Sequence, residues 1–246
     1  RRGHRLPSLR RFPAVTAMDA IRFLPCGDSA VTVEFGNRID DQLNGAVHAF
    51  ASAVEALGHP AIREVVPTYR SATVHYLPHL LEYAALVQLL RPLTETQGGA
   101  GPFGAPVEIP VLYGGPWGPD LEEVAAHCGM TPEQVIAAHS APCYRIYMLG
   151  FTPGFPYLGG MDPRLATPRR KEPRIRIPAG SVGIAGSQTG VYPIESPGGW
   201  QLIGRTPLRL FDLGSDPPIL LQAGRSIRFV PIDEPTYHRL ERRGRL

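Results

Sequence analysis

Residues 144–205 contain GFTPGFPYLGG (150–160), PRRKEPR (168–174), IPAGSVGIAGSQTGVYP (177–193) and SPGGW (196–200). Glycine and proline at this density cannot continue a helix and interrupt a regular strand, so the backbone is committed to tight turns and close approaches. Between the turns, 144–149, 174–177, 181–185 and 201–203 read as short strands, and 207–213 and 226–230 extend the pattern. Many short strands divided by Gly/Pro turns predict a closed or nearly closed barrel. Arg, Gln, Tyr, Ser and Thr stand between the turns, types that bind carboxylates, phosphates and amides rather than fill a core.

Upstream of this stretch, 107–112 reads as a strand and 119–128 as a short helix stopped by Gly129. A second helix starts with Thr131 as N-cap, Pro132 in the first turn and Gln134 completing a capping box. TETQGGAGPFGAP (94–106) has the composition of a linker. Before it, 20–25 and 30–35 read as strands, and Leu43, Ala46, Val47, Phe50, Val54 and Leu57 form one apolar helical face ended by Gly58. Two further strands (62–68 and 72–77) and a helix (79–90) complete a ββαββα order. The expected class is α+β: a basic leader 1–17, an N-terminal α/β domain 18–93, a linker 94–106 and a β-barrel domain 107–246.

The 246 residues carry a formal charge of +3, but Arg1, Arg2, Arg5, Arg10 and Arg11 all precede Met18. Without those five the balance is about −2, so the basic character is no argument for a nucleic-acid partner. The leader is expected to be a disordered arm or residues upstream of the true start. No apolar run approaches the roughly 20 residues that span a bilayer, and no secretory signal opens the chain; a soluble cytoplasmic protein without a membrane partner is expected. Cys26, Cys128 and Cys143 have no CxxC spacing, so reduced thiols and no intrinsic metal are expected. Lys171 is the only lysine, and GxxxxGK[ST], GxSxG and HExxH are all missing.

The helix pair at 121–139 has helix-turn-helix spacing, yet its second helix offers no Lys or Arg to a groove, which favours a structural hairpin. Arg174 and Arg176 alternate with Ile175 and Ile177, so on a strand both guanidinium groups share one face, beside Arg169, Arg170 and Lys171. No aromatic residue between Tyr157 and Tyr192 could stack a base, and a small carboxylate or phosphoryl group suits the arginines better. Gly180, Gly183, Gly186 and Gly190 either turn barrel corners or present backbone N–H groups to developing charge. His139 ends a helix and leads into the site, as a capping residue or a proton carrier. His48, His59, His75, His79 and His238 show no partner and read as incidental.

The run HSAPCYRIYMLGFTPGFPYLGGMDPRLATPRRKEPRIRIPAGSVGIAGSQTGVYPIESPGGWQLIGRTP (139–207), with GDSAVTVEFG (27–36), closely resembles the allophanate hydrolase subunit 1 family. That family includes B subunits of bacterial 5-oxoprolinases and a sporulation kinase inhibitor, and the likeness extends from Met18 to Leu213. It implies an N-terminal α/β domain followed by a cyclophilin-like β-barrel, a homologous second subunit and a third amidohydrolase subunit. The implied activity is cleavage of 5-oxo-L-proline to L-glutamate with hydrolysis of ATP, which activates the inert lactam oxygen; Mg would accompany the ATP, shared with the partners. Alternatives are an allophanate hydrolase or urea carboxylase-type subunit and a non-catalytic inhibitor of a histidine kinase. The family's motif positions fall on His139, Tyr144, Gly154, Phe155, Tyr157, Arg169, Arg174, Gly180, Gln188, Tyr192, Ser196 and Trp200. By chemistry the expected catalytic residues are His139, Arg169, Arg174, Gln188 and Tyr192; substrate or phosphate would meet Gly180, Ser181, Gly183, Gly186, Ser196 and Gly198.

Overall fold

The computed structural model describes residues 21–95 and 105–243; the expected leader and the middle of the expected linker lie outside these residues. The first part runs β1 (Arg22–Pro25), β2 (Ala30–Glu34), α1 (Asp41–Ala56), β3 (Ile62–Pro67), β4 (Ser71–Tyr76) and α2 (Tyr83–Leu90). Its four strands form an antiparallel sheet in the order β1-β2-β4-β3. Alternation along β2 sends Val31 and Val33 to one face, where Phe35, Val47, Phe50, Val54, Val74, Leu86 and Leu90 close a core. The Asp40 carboxylate starts α1 by accepting the Leu43 N–H at 2.7 Å. Helix α2 begins four residues later than expected, because the Leu80 and Leu81 N–H groups close a turn on the Leu77 carbonyl first.

The second part runs β5 (Val107–Tyr113), α3 (Leu121–Cys128), α4 (Pro132–Ser140), β6 (Tyr144–Leu149), β7 (Pro156–Gly159), β8 (Arg174–Ile177), β9 (Ser181–Ala185), β10 (Gln188–Val191), β11 (Ser196–Gly198), β12 (Gln201–Arg205), β13 (Ser226–Pro231) and α5 (Glu234–Glu241). Seven strands make one sheet, β10-β9-β12-β5-β13-β6-β7, while β8 and β11 pair as a separate arm. The end strands meet, a Cβ on Gly190 falling 3.3 Å from the Pro156 carbonyl, so the sheet is a nearly closed barrel. Ile109, Val111, Tyr144, Ile146, Val182, Ile184 and Phe229 fill it, and α3 and α4 cover it with Val124, Ala125 and Val135. The expected strand at 207–213 is reduced to one bridge, Phe211 to Ile219; Pro207, Pro217 and Pro218 remove the donors a ladder would need. Helix α5 lies beyond the elements expected from the sequence, although Asp233 caps it in the usual way, accepting the Thr236 N–H at 3.0 Å.

Helices α3 and α4 are a hairpin packed on the barrel, turned by Gly129 at φ +65. The capping box forms as expected: the Gln134 N–H donates to Thr131 Oγ1 at 3.3 Å and the Thr131 N–H to Gln134 Oε1 at 2.9 Å. Thr131→Ala is expected to lower stability by about 1 kcal/mol, read as a shifted urea midpoint at unchanged slope.

A polar seam joins α1 to β6. The Asn44 amide donates to the Thr68 carbonyl at 3.1 Å and its oxygen accepts Arg145 Nε at 3.2 Å; His48 Nε2 donates to the Tyr147 carbonyl at 2.9 Å. The Tyr147 hydroxyl donates to Asp41 at 2.8 Å. His48 is therefore not incidental: it is a buried seam residue, and burial holds its imidazole below the usual range.

Candidate anion-binding site

Along β10 the side chains alternate, so Gln188, Gly190 and Tyr192 share the face opposite Thr189 and Val191. A Cβ on Gly190 would stand 3.0 Å from the Phe155 ring and 3.2 Å from that of Trp200, so glycine makes the room in which these rings pack. Phe155 sits 5.6 Å from both Tyr192 and Trp200, edge to face, and Ile177 and Leu202 complete the cluster. Strand β11 crosses the Tyr192 phenol at Gly198, where a Cβ would fall 2.5 Å from the hydroxyl. Tyr192 is 2% exposed, and its hydroxyl makes no hydrogen bond among the described residues. Burial pushes its pKa up to about 12 against the opposing pull of Arg169 and Arg174, leaving a neutral O–H donor. The Ser196 hydroxyl is also buried without a partner. Arg169 is exposed, its charge reaching Tyr192, and no carboxylate pairs with it among the described residues.

The other arginines are occupied. Asp120, 4% exposed, stands where α3 would be capped but does not cap it. Its Oδ1 accepts Arg174 Nη2 at 2.7 Å and Arg170 Nη1 at 3.1 Å, and its Oδ2 accepts the Leu202 N–H at 2.6 Å. Arg176 pairs with Glu195 at 2.6 Å. The expected clamp of Arg174 and Arg176 is thus corrected: each has its own carboxylate, and Arg174 forms a wall rather than a free donor. Asp120 escapes a reading of the sequence because an Asp at a helix start reads as a cap, and its arginines lie 50 and 54 residues away.

The glycines are barrel corners and ladder positions. The Gly180 N–H donates to the Tyr192 carbonyl at 2.7 Å and that of Gly186 to the Thr167 carbonyl at 2.7 Å. The Ser181 N–H reaches the Pro178 carbonyl at 3.3 Å, and Gly183 lies mid-strand between β10 and β12. The expected pocket of backbone donors at Gly180, Ser181, Gly183 and Gly186 is corrected accordingly. Glycine is required at 180 for another reason: φ is +81, and a Cβ would lie 2.3 Å from the Thr206 carbonyl.

His139 is fully buried, stacked on Phe229 at 4.5 Å. Thr189 donates its hydroxyl to the Gly183 carbonyl at 3.0 Å, so its oxygen accepts His139 Nε2–H at 2.8 Å, and Nδ1 accepts the Tyr113 hydroxyl at 2.8 Å. The order Tyr113–His139–Thr189–Gly183 pins β5, α4, β10 and β9 together. Burial drops the imidazole pKa to about 3. The expected proton carrier is corrected: both ring nitrogens are engaged and no face is open. Gln188 is also displaced from the expected site, donating to the Tyr69 hydroxyl at 2.9 Å in the seam, about 13 Å along the strand from Tyr192.

The family described as carboxyltransferase domain, subdomain C and D, matches residues 21–221. The chain belongs to this family. Its sequence is 47% identical over 233 residues to the 5-oxoprolinase B subunit of Bacillus subtilis (strain 168), covering 86% of this chain and 93% of that one. Identity to the 5-oxoprolinase B subunit of Escherichia coli O157:H7 is 45% over 218 residues, covering 88% and 99%. The crystal structure of TTHA0988 superposes with a TM-score of 0.77 at 40% identity, covering 84% of this chain and 41% of that longer one. In this carboxyltransferase-family member, cavities of about 650 and 470 Å³ lie against α1, and neither is lined by Arg169, Tyr192 or Ser196.

Proposed function

We propose that the chain is a subunit of an ATP-dependent 5-oxoprolinase, which opens 5-oxo-L-proline to L-glutamate. The observation that carries this is identity of 45–47%, over most of both chains, to relatives bearing that name. The geometry supports a specific share of the work. Arg169 offers a guanidinium fork without an internal counter-ion, and Tyr192 and Ser196 offer hydroxyls without partners. A carboxylate such as that of 5-oxoproline suits this set, because a fork binds both oxygens while the neutral phenol adds a third donor. Arg174, held by Asp120, keeps the wall positive; Gly198 keeps the phenol uncovered; His139 and Gln188 position β10.

The residues present do not fit a nucleoside triphosphate. The N–H groups of the glycine-rich hairpin are spent on the barrel, and the single lysine, Lys171, is exposed on a loop. We therefore assign ATP, with Mg, to partner subunits: a homologous second subunit and a third amidohydrolase subunit. Two domains, 18–93 and a cyclophilin-like barrel at 107–246, fit the separate buried clusters. A cytoplasmic location fits three unpaired thiols.

In the complex reconstituted with its partner subunits, Arg169→Ala is expected to lower 5-oxoproline-stimulated ATP hydrolysis about 100-fold, a loss of about 3 kcal/mol of transition-state binding. The melting temperature should hold, since the side chain is exposed. A wild-type complex in which 5-oxoproline stimulates no ATP hydrolysis would overturn the proposal.

A further inference from the structure

We infer that the face carrying Phe151, Ile175 and Arg169 is the docking surface for a second, acidic polypeptide that presents an apolar socket, placing the anion site at a subunit junction. This rests on the function proposed above. Phe151 is 66% exposed and held at φ +64, a conformation a bulky residue rarely adopts. The loop that holds it there is built rather than slack: the Gly150 N–H donates to the Phe155 carbonyl at 3.1 Å, Thr152 N–H to Gly150 at 2.7 Å and Phe155 N–H to Thr152 at 3.1 Å. The Phe151 ring meets Phe155 edge to face at 5.7 Å. Ile175 is 93% exposed on β8, while Ile177, two residues on, is fully buried beside Tyr192 and Trp200. Both exposed side chains are therefore one step outside the same aromatic cluster.

Three hydroxyls on and around that cluster lack partners, those of Thr152, Ser196 and Tyr192, and the first two are buried. Buried polar groups are ordinarily satisfied, so a covering surface with polar groups of its own would complete them. The same face bears Arg169 and Lys171, both exposed, with Arg176 beside them. Aromatic and arginine anchors next to a buried cluster are the composition of an interface hot spot. A second copy of this chain suits it poorly, because two-fold pairing would set Arg169 and Lys171 against themselves. A different polypeptide is at hand: relatives of this length are named as subunits, and in TTHA0988 the matching region is only 41% of the chain.

The test is calorimetric titration of the purified chain with the remaining subunits of the complex. Phe151→Asp and Ile175→Asp are each expected to weaken binding at least 30-fold, and Arg169→Glu to weaken it and flatten its salt dependence. Leu80→Asp, on an exposed apolar residue of the first part, serves as the unaffected control. Phe151→Gly is the variant that cannot fail by misfolding, since glycine relieves the positive φ; it should keep or raise the melting temperature while weakening binding. Wild-type affinity in Phe151→Gly and Ile175→Asp would overturn the inference, as would a homodimer of the isolated chain that these substitutions dissolve. Assembly through this face without 5-oxoproline-stimulated ATP hydrolysis would sink the functional proposal and leave the interface standing. Stimulated hydrolysis with unaltered assembly would do the reverse.

Discussion

Asp120→Ala is expected to destabilise the protein by about 3–5 kcal/mol, the range for removing one partner of a buried ion pair. The carboxylate is 4% exposed and accepts from two arginines and the Leu202 N–H. Its loss leaves Arg174 and Arg170 facing each other, and orphans a backbone donor in β12, the strand that pairs with both β9 and β5. Asp120→Asn should cost less, because an amide oxygen can still accept from Leu202. Urea unfolding reads both. A loss under 1 kcal/mol in the alanine variant would mean that water reaches the pair and that Asp120 is not what holds the arginine wall.

Lowering the pH from 7 to 4 is expected to erode stability steeply through His139. Its native pKa is about 3, because burial disfavours the imidazolium. In the unfolded chain a histidine takes up its proton near pH 6.5. Between those values the unfolded state binds a proton that the native state refuses, so stability is full above about pH 6.5 and is lost as pH falls toward 3. The slope approaches about 1.4 kcal/mol per pH unit and totals about 5 kcal/mol across the window. His139→Gln keeps an acceptor for Tyr113 and a donor for Thr189 but cannot titrate. The difference between wild type and His139→Gln, followed by urea unfolding from pH 7 to 4, isolates this contribution from His48, whose pKa burial also lowers. A pH-independent difference would show that His139 is hydrated or already protonated in the native protein.

The barrel, the helical hairpin with its Thr131 capping box and the first ββαββα unit were legible in the sequence, because each depends on contacts within a few residues. The Gly/Pro turns of 150–200 marked the right region for the same reason. The assignments that failed had one cause in common: a residue type suited to a task was credited with it before its neighbours were known. Arg174 suits an anion, but Asp120 had already claimed it. Gly180, Gly183 and Gly186 suit a backbone cradle, but their N–H groups belong to the barrel. His139 suits proton transfer, but it is sealed between Tyr113 and Thr189. Arg169 and Tyr192 survive as site residues because no internal partner claims their polar groups.

Taken alone, the amino-acid order settled which stretches turn, alternate or coil, and the kinship that follows from them, since caps, periodicity and φ preferences act over a few bonds. Tertiary structure decided which polar groups are still available for chemistry. Availability depends on burial and on partners: Asp120 meets Arg174 across 54 residues and Gln188 meets Tyr69 across 119, and only the folded chain brings such pairs within hydrogen-bond reach and out of water.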